Sequence, residues 1–423
     1  MKLAILRFIV VALACTCVLV VISSRRPQAV SANQDKFAPL YSALGMPQPE
    51  QTPAAAQEKT IAQEGREKNV KLLGDLPVSQ FIPLMNYFAA SMGRRCNFCH
   101  VNNNGQWDYA SDEKPEKKTA REMIKLVLDT NSRLAILKLD PIACYTCHRG
   151  RNSPQSTIPL PLPVPSPQAG GQGRPAGAPG GTAATPGAQP QSSPTPRPTP
   201  TPAEEILTKY VTAIGGQAAI DKIKSRTATG TITTANGQSG TYELAQIGDK
   251  AIETIVTPRA TMKRALTSAG GWESNGPNSR ELVGGDLTRM RNSNQLFSFL
   301  KLKEQYTRLR TSGRDKIGDR DVYVITASRN DTDVDRLYFD IETGLLLRRI
   351  TYLRTMLGVI PEQWDFDDYR DVEGVKMPFT IRVSSVDPGN PYIVRTFTEI
   401  KLNGPVDESK FAMPPAPVKT PTP

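Results

Sequence analysis

The sequence predicts an α+β chain with two domains joined by a Pro-rich linker. Residues 64–151 carry apolar side chains at helical spacing, which predicts a small all-α domain. Residues 203–415 begin with short helical stretches and continue as short alternating runs, which predicts an antiparallel β-rich domain. Residues 152–202 are dominated by Pro, Gly, Ser, Thr, Ala and Gln, a composition that cannot bury a core. We therefore expect few fixed contacts between the two domains.

The chain ends predict segments outside both domains. Residues 1–32 have the features of an export signal, because basic residues precede an apolar stretch and Val30-Ser31-Ala32 offers a cleavage site. An uncleaved N-terminal anchor is the alternative, although the stretch is short for a membrane span. We expect residues 33–63 to form a flexible segment and residues 416–423 to form a short tail. This pattern places the protein in the periplasm or on the outer face of the cytoplasmic membrane.

Apolar spacing predicts the first helix of the small domain. Phe81, Met85, Phe88 and Met92 follow one another at spacings of four, three and four, so they share one helical face. Ser79 is the expected N-cap of this helix.

A second helix is predicted to end near Leu137. Thr119 and Glu122 have the spacing of a capping box, which would place the start of the helix at Thr119. Its expected inner face consists of Met123, Leu126 and Val127.

Only two histidines occur among the 423 residues, and each closes a Cys-x-x-Cys-His run. The first motif is Cys96-Asn97-Phe98-Cys99-His100, and the second is Cys144-Tyr145-Thr146-Cys147-His148. Covalent haem attachment requires this spacing, because the two thiols form thioethers and the following imidazole ligates the iron. A redox dithiol or a zinc site made of both Cys pairs is the alternative, but neither accounts for a histidine after each pair. The motifs therefore predict two covalently bound c-type haems, with His100 and His148 as proximal ligands.

The histidine count also restricts the sixth iron ligand. With both histidines used, bis-histidine coordination within one chain is excluded, which leaves methionine, a weaker donor, water or no ligand. Met85 lies eleven residues before the first motif and Met123 lies twenty-one before the second, each on a predicted helix. Both are candidate distal ligands. Packing in an apolar core is the alternative for each, since methionine commonly fills irregular gaps.

Composition excludes several functions. Residues 203–423 contain neither Cys nor His, which rules out thiol catalysis, a Ser-His-Asp triad and a histidine-ligated metal there. The net charge of +11 is spread along the chain, with 30 basic and 28 acidic side chains in this same part. A dispersed charge does not predict a nucleic-acid partner. We therefore expect an electron-transfer protein and not an enzyme.

The segment from Asn69 to Arg151 resembles the cytochrome c subunit of photosynthetic reaction centres. The resemblance rests on both haem motifs and on Ile82-Pro83-Leu84-Met85, Lys114-Pro115-Glu116-Lys117 and Thr119-Ala120-Arg121-Glu122-Met123. It implies that Met85 and Met123 are the axial methionines that precede each motif in the family. Familiar members carry four haems, whereas this chain has two motifs. The implied partners are redox proteins of the cell envelope, either a reaction centre whose photo-oxidised chlorophyll pair is re-reduced or a respiratory complex.

Residues 203–415 resemble the half-barrel of envelope lipoprotein-sorting proteins, which hold acyl chains in an apolar concavity. The resemblance rests on weak motifs, namely Ile214-Gly215-Gly216, Ile223-Lys224-Ser225-Arg226, the segment Tyr338–Gly344 and the segment Tyr369–Pro378. It implies a half-barrel-like sheet and a lipid or acyl ligand. The alternative function is therefore an envelope lipid-binding or docking protein with a haem sensor module.

Overall fold

The computed structural model describes residues 58–154, 201–294, 298–330 and 333–414. The predicted export signal, nearly all of the segment 33–63, most of the linker and the tail lie outside these residues. Two parts can be distinguished: a mainly helical part before the linker, here called the haem-motif domain (58–154), and a large antiparallel sheet with short helices after it, here called the sheet domain (201–414). This is the predicted α+β architecture.

Four helices and one hairpin make up the described residues of the haem-motif domain. The short hairpin was not predicted from the sequence, although Asn104-Gly105 at its tip is a common turn pair. In chain order the elements are α1 (Ile61–Glu64), α2 (Val78–Met92), a 3₁₀ turn (Cys96–Phe98), β1 (Val101–Asn103), β2 (Gln106–Asp108), α3 (Pro115–Ile136) and α4 (Cys144–His148).

Helix α2 begins earlier than predicted and buries a neighbouring face. Its N-cap is Pro77, whose side chain makes no capping bond, and not Ser79. Leu84, Tyr87 and Ser91 are buried, whereas the predicted apolar face is only partly buried. The difference arises because α4 and a hairpin of the sheet domain both pack against α2, contacts between distant residues that local spacing does not contain.

Helix α3 also differs at its start. It begins at Pro115, and Thr119 lies inside it, where its hydroxyl donates to the Pro115 carbonyl at 3.2 Å. Proline is well suited to the first helical position, because its missing N–H has no helical partner there. Met123 and Leu126 of the expected inner face are exposed, and the buried side chains are Ile124, Val127 and Asn131.

The sheet domain forms one antiparallel sheet of thirteen strands within its described residues. The five alternating runs found in the sequence, including 228–233 and 392–397, lie in strands apart from Leu345, and the Asn236-Gly237 turn joins the first of these strands to the next one along the chain. The sheet is not closed into a barrel: the order is β8-β7-β6-β5-β4-β3-β15-β14-β13-β12-β11-β10-β9. In chain order the elements are α5 (Ala203–Ala213), α6 (Gln217–Ile220), β3 (Ser225–Thr234), β4 (Ser239–Ile247), β5 (Lys250–Val256), β6 (Thr261–Leu266), β7 (Gly271–Asn275), β8 (Asn278–Glu281), α7 (Gly284–Asn294), α8 (Leu302–Gln305), β9 (Arg308–Ile317), β10 (Arg320–Ser328), β11 (Val334–Asp340), β12 (Leu346–Thr355), β13 (Gly358–Val372), β14 (Val375–Ser384) and β15 (Tyr392–Leu402).

The core of the sheet domain lies between α5 and the inner face of the sheet. Tyr210 and Phe339 are fully buried there and meet edge to face, with ring centroids 5.3 Å apart. The Tyr210 hydroxyl donates to the Phe299 carbonyl at 2.7 Å, which satisfies its one polar atom. This domain therefore buries an extensive core of its own.

The two domains are packed against each other, contrary to the expectation of few fixed contacts. The tip of the β12–β13 hairpin carries Met356 and Leu357, which are 3% and 0% exposed. Both lie in one buried apolar cluster with Leu84 and Tyr87 of α2. Gly358 follows directly, and a Cβ at this position would lie 2.7 Å from the Tyr87 hydroxyl oxygen. A glycine is therefore required where the hairpin meets α2.

A carboxylate ties the N-terminus of one helix from each domain. Glu58 accepts a hydrogen bond from the Ser79 backbone N–H of α2 at 2.6 Å and one from the Gly285 N–H of α7 at 3.1 Å. Helix N-termini present free N–H groups and a partial positive charge, so one carboxylate can stabilise both. Pro83 cannot donate to the Ser79 carbonyl, and Arg289 of α7 reaches that carbonyl at 3.5 Å.

Candidate functional site

Both Cys-x-x-Cys-His motifs form a single helical turn. In the first, His100 N donates to the Cys96 carbonyl at 2.9 Å, and in the second the motif itself is α4. Residues three and four positions apart lie on the same side of a helical turn. The second cysteine and the histidine of each motif therefore face the same side as its first cysteine.

The two imidazoles are oriented in the same way. His100 Nδ1 lies 3.2 Å from the Tyr109 carbonyl oxygen, and His148 Nδ1 lies 3.0 Å from the Arg151 carbonyl oxygen. A carbonyl can only accept, so each Nδ1 carries the hydrogen and each Nε2 keeps its lone pair. This tautomer is the one that a proximal iron ligand needs.

The environment of the first histidine favours its neutral form. Burial lowers the pKa of His100, and the nearby Lys117 ammonium lowers it further. Burial also raises the pKa of the Cys99 thiol, and it raises that of the Cys144 thiol to about 11. None of the four motif cysteines forms a disulfide within the described residues.

The two motifs meet through a glycine contact. Gly93 ends α2 with φ +61°, and a Cβ there would lie 2.2 Å from the Gly150 carbonyl oxygen. Gly150 N donates to the Ser91 carbonyl at 2.8 Å. Because Cys96 is three residues from this contact and His148 is two, the motifs lie no more than about 20 Å apart.

The first motif borders a cleft of about 730 Å³. Arg95, Cys96 and Lys114 line it, and Arg94 lines an adjoining cleft of about 620 Å³ together with Phe98. The Arg94 guanidinium lies 5.1 Å from the centroid of the Phe98 ring. Basic side chains at this position match the two propionate groups that a haem presents.

An aromatic pair next to the first histidine was missed by the sequence analysis. The Tyr109 ring meets the His100 ring edge to face at 5.2 Å, and Trp107 stacks on Tyr109 at 5.4 Å. Both are partly exposed, at 54% for Tyr109 and 40% for Trp107. The sequence contained a signal for this pair: Trp107 and Tyr109 are two residues apart after the Asn104-Gly105 turn, and residues two apart on an extended chain share a face.

The second motif lies against the interdomain cluster. Ala143 and Cys144 pack against the cluster that contains Leu357. Burial raises the pKa of the Tyr87 hydroxyl, and the nearby Tyr145 backbone partly offsets this effect. The segment before the motif is held by Asn131 of α3, whose side-chain amide exchanges two hydrogen bonds with Ile142 at 2.8 and 2.9 Å.

The two candidate methionines have different surroundings. Met85 is half-buried on α2 and packs against the interdomain cluster. Met123 is 36% exposed on α3. Both methionines lie in helices, as predicted, and the packing of Met85 in an apolar cluster matches the alternative that the sequence left open for it.

Exposed apolar side chains concentrate in the haem-motif domain, as covalently held porphyrins would require. Of the fourteen large apolar side chains found exposed in the described residues, ten lie within 58–154. Leu126, Ile136 and Leu137 of α3 are 54%, 82% and 64% exposed. A porphyrin presents apolar surface on both faces, so the attached group would cover side chains that are otherwise costly to expose. The residues present therefore fit a haem at each motif.

The sheet domain encloses a cavity of about 40 Å³ whose lining combines aromatic and aliphatic side chains with three arginines. The arginines, Arg226, Arg349 and Arg395, are each at least nine-tenths buried. Arg395 pairs with Glu253 at 3.3 Å, and Arg349 pairs with Asp335 at 2.9 Å. Two of the three buried charges are thus paired with a carboxylate, and the cavity wall is part apolar and part polar.

Among the described residues, no three or more His, Cys, Asp or Glu side chains cluster closely enough to share a metal ion. None of the helices in that part of the chain has the length and apolar character of a membrane span.

The comparisons with known proteins concern the two parts separately. The family model for the photosynthetic reaction centre cytochrome C subunit matches residues 26–170. The photosynthetic reaction center cytochrome c subunit of Thermochromatium tepidum is 37% identical over 109 residues, which are 25% of this chain and 26% of that protein. Cytochrome c-554 of Chloroflexus aurantiacus is 32% identical over 106 residues, which are 24% of each chain. This chain thus matches about a quarter of the length of these relatives, and the resemblance seen in the sequence is confirmed.

Solved structures with a similar fold cover about half of this chain. A DUF1329 family protein from Desulfovibrio piger has a TM-score of 0.36 at 11% identity and covers 50% of this chain and 97% of its own. A LolA superfamily protein from Nitrosomonas europaea has a TM-score of 0.34 at 13% identity and covers 50% of this chain and 98% of its own.

Proposed function

We propose that this protein is an exported dihaem c-type cytochrome that transfers single electrons. Cys96 and Cys99 would hold one haem in the first motif, and Cys144 and Cys147 would hold one in the second. Each haem would supply an iron that alternates between the ferrous and ferric states. The observation that carries the proposal is the pair of motifs, each with a free Nε2, held next to each other by the Gly93–Gly150 contact.

The chain's residues position and protect the two groups. His100 and His148 provide the proximal nitrogens, oriented by backbone carbonyls. Arg94 and Arg95, which line the first cleft, would neutralise propionates there. Met85 and Met123 would be the distal ligands, and their thioethers would stabilise ferrous iron and raise the reduction potential.

The stoichiometry is tested by maturing the protein in a host that attaches haem. Mass spectrometry should find two added haems in the wild type. Replacing Cys96 and Cys99 with Ser should leave one haem, as should replacing Cys144 and Cys147 with Ser. A folded wild-type protein that carries zinc and no haem would contradict the proposal.

The distal ligands are tested separately. Met85→Ala and Met123→Ala should each abolish half of the methionine-to-iron absorption of the ferric protein and lower one reduction potential. Met92→Ala is the matched control, because Met92 ends α2 only four residues before Cys96 and is expected to contribute to packing. An unchanged spectrum in either of the first two variants would remove that methionine from the ligand set.

The proposed partners are redox proteins of the cell envelope, either a reaction centre or a respiratory complex. The similarity to reaction-centre cytochrome subunits supports this partner class. The alternative is a lipid-binding or docking protein with a haem sensor module, for which the cavity of the sheet domain is the candidate ligand site. Reduction of a photo-oxidised reaction centre by the purified protein, followed by flash absorption, distinguishes the photosynthetic from the respiratory partner.

A further inference from the structure

The sheet domain borders both haem motifs. The β12–β13 hairpin packs in the cluster that Cys144 joins, and the β14–β15 loop lines the cleft beside Cys96. We propose that the sheet domain completes the two haem sites and sets the two reduction potentials in opposite directions. This inference rests on the proposed function, because it requires a haem at each motif.

At the second motif, the sheet domain contributes an apolar cover. Leu357 is 0% exposed and Met356 is 3% exposed, although both lie at the tip of a hairpin, where side chains are ordinarily solvated. They pack in one cluster with Ala143 and Cys144. Ferric haem carries one more positive charge than ferrous haem, so an apolar, water-excluding cover disfavours the ferric state. The hairpin tip therefore raises the potential of the second haem.

At the first motif, the sheet domain contributes a carboxylate. Asp387, Pro388 and Gly389 line the cleft together with Cys96. The loop is anchored on one side by Val386, which packs against the interdomain cluster. Asp387 Oδ1 accepts a hydrogen bond from Gly389 N at 2.8 Å, which fixes the side chain at this position. A negative charge beside the cleft stabilises ferric iron, so Asp387 lowers the potential of the first haem.

The apolar cover and the carboxylate act at different haems and by different physical effects, so one substitution at each should change only one of the two reduction potentials. Leu357→Asn keeps four side-chain heavy atoms branched at Cγ but brings a polar group into the cover, so it should lower the potential of the second haem. Asp387→Asn keeps the acceptor for Gly389 N and removes the charge, so it should raise the potential of the first haem. The single-motif variants described above assign each midpoint in a redox titration of the haem-loaded full chain.

Each variant has a matched control. Val359→Asn introduces the same polar side chain two residues further along the hairpin, at a position that is already 42% exposed. Asp371→Asn removes a carboxylate that, like Asp387, accepts a hydrogen bond from a glycine N–H. Asp371 lies at the end of β13 that is remote from the hairpin tip, next to the turn into β14. Both controls should leave both midpoints unchanged. Leu357→Met keeps the cover apolar and should also leave both midpoints unchanged. If Leu357→Asn does not fold, Asp387→Asn still tests the inference at the first haem, and an unchanged first midpoint would overturn it.

The outcomes separate this inference from the proposed function. Two midpoints that move in opposite directions, one in each variant, would support the sheet domain as a determinant of the redox properties. Haem-loaded variants whose midpoints equal those of the wild type would overturn the inference and leave the proposed function standing. A wild-type chain that takes up no haem would instead overturn the proposed function.

Discussion

The two domains differ in where their sequence information lies. In the haem-motif domain, the two Cys-x-x-Cys-His motifs, ten residues in all, were enough to predict the cofactor. The same domain contains ten of the fourteen large apolar side chains that are exposed among the described residues. The sheet domain buries aromatic residues such as Tyr210, Tyr242 and Phe339 almost completely, and it contains neither Cys nor His. One domain therefore carries the two haem motifs and exposes much apolar surface, and the other buries an extensive core and carries no such motif.

The contact between the domains is consistent with this difference. A small domain of under a hundred residues has little interior, so it gains stability from any apolar surface that covers it. Here the hairpin tip at Leu357 and the proposed porphyrins provide such surface. The predictions below test how strongly the haem-motif domain depends on its close internal contacts and on the sheet domain.

Gly93→Ala should have the largest effect. The added Cβ would lie 2.2 Å from the Gly150 carbonyl oxygen, and the left-handed φ of +61° costs about 1–2 kcal/mol for any L-residue. We expect a loss of about 3 kcal/mol in unfolding free energy, measured by denaturant titration of the haem-loaded chain. Gly65→Ala is the control, since Gly65 has φ +66° and nothing within 4 Å of its Cβ position. Equal losses in the two variants would show that the motifs do not depend on this close approach.

Glu58→Ala should have an intermediate effect, because it removes the caps of two helices at once. Loss of one cap typically costs about 1 kcal/mol, so we expect Glu58→Ala to lower the unfolding free energy by about 1–2 kcal/mol.

A protease site inserted at Gly180 tests the contact between the two domains directly. After cleavage, the wild-type fragments should co-elute on size exclusion, and the Glu58→Ala fragments should separate more readily. Glu64→Ala, on the exposed end of α1, is the control. Wild-type fragments that separate at once would restore the picture of two tethered, independent domains.

The sequence predicted the local features and missed the contacts between distant residues. The strand runs of the sheet domain were found because alternation is a local signal, and the end of α3 was placed within one residue. The start of α3 was misplaced because Pro115 at the first helical position is as good a signal as the capping pair that begins at Thr119. The buried face of α2 was misplaced because Tyr87 is buried by Gly358, which lies far along the chain.

In the candidate site, too, local features were predicted and contacts between distant residues were missed. The types of ligand and their spacing are local features, so the sequence predicted Cys96, His100 and the corresponding residues of the second motif. The groups that orient and cover these residues come from other parts of the chain. Tyr109 lies on the far side of a hairpin, and Asp387 lies in the other domain. Neither could be assigned to the site without the fold.

The smallest predicted effect on stability concerns Asp112, a carboxylate whose ion pairs all lie within the haem-motif domain. Although desolvation acts in the opposite direction, hydrogen bonds from Arg121, Lys71 and Asn69 hold the pKa of Asp112 well below its ordinary value. A depressed folded-state pKa means that the stabilisation is present above the unfolded-state pKa of about 4 and is lost as the pH falls below it. Because the group is solvent-accessible, its contribution is small.

Asp112→Asn should therefore lower the thermal unfolding midpoint slightly at pH 7, and the difference from wild type should shrink below about pH 4. Calorimetry of the haem-loaded chain across this range measures it. Asp129→Asn, which neutralises an exposed carboxylate on α3, is the control. Asp112 links Arg121 of α3 to the segment at Lys71, so the change should be confined to the unfolding of the haem-motif domain. If the sheet domain's transition moved equally, the two domains would unfold as one unit, and their interface would be the stronger determinant of stability.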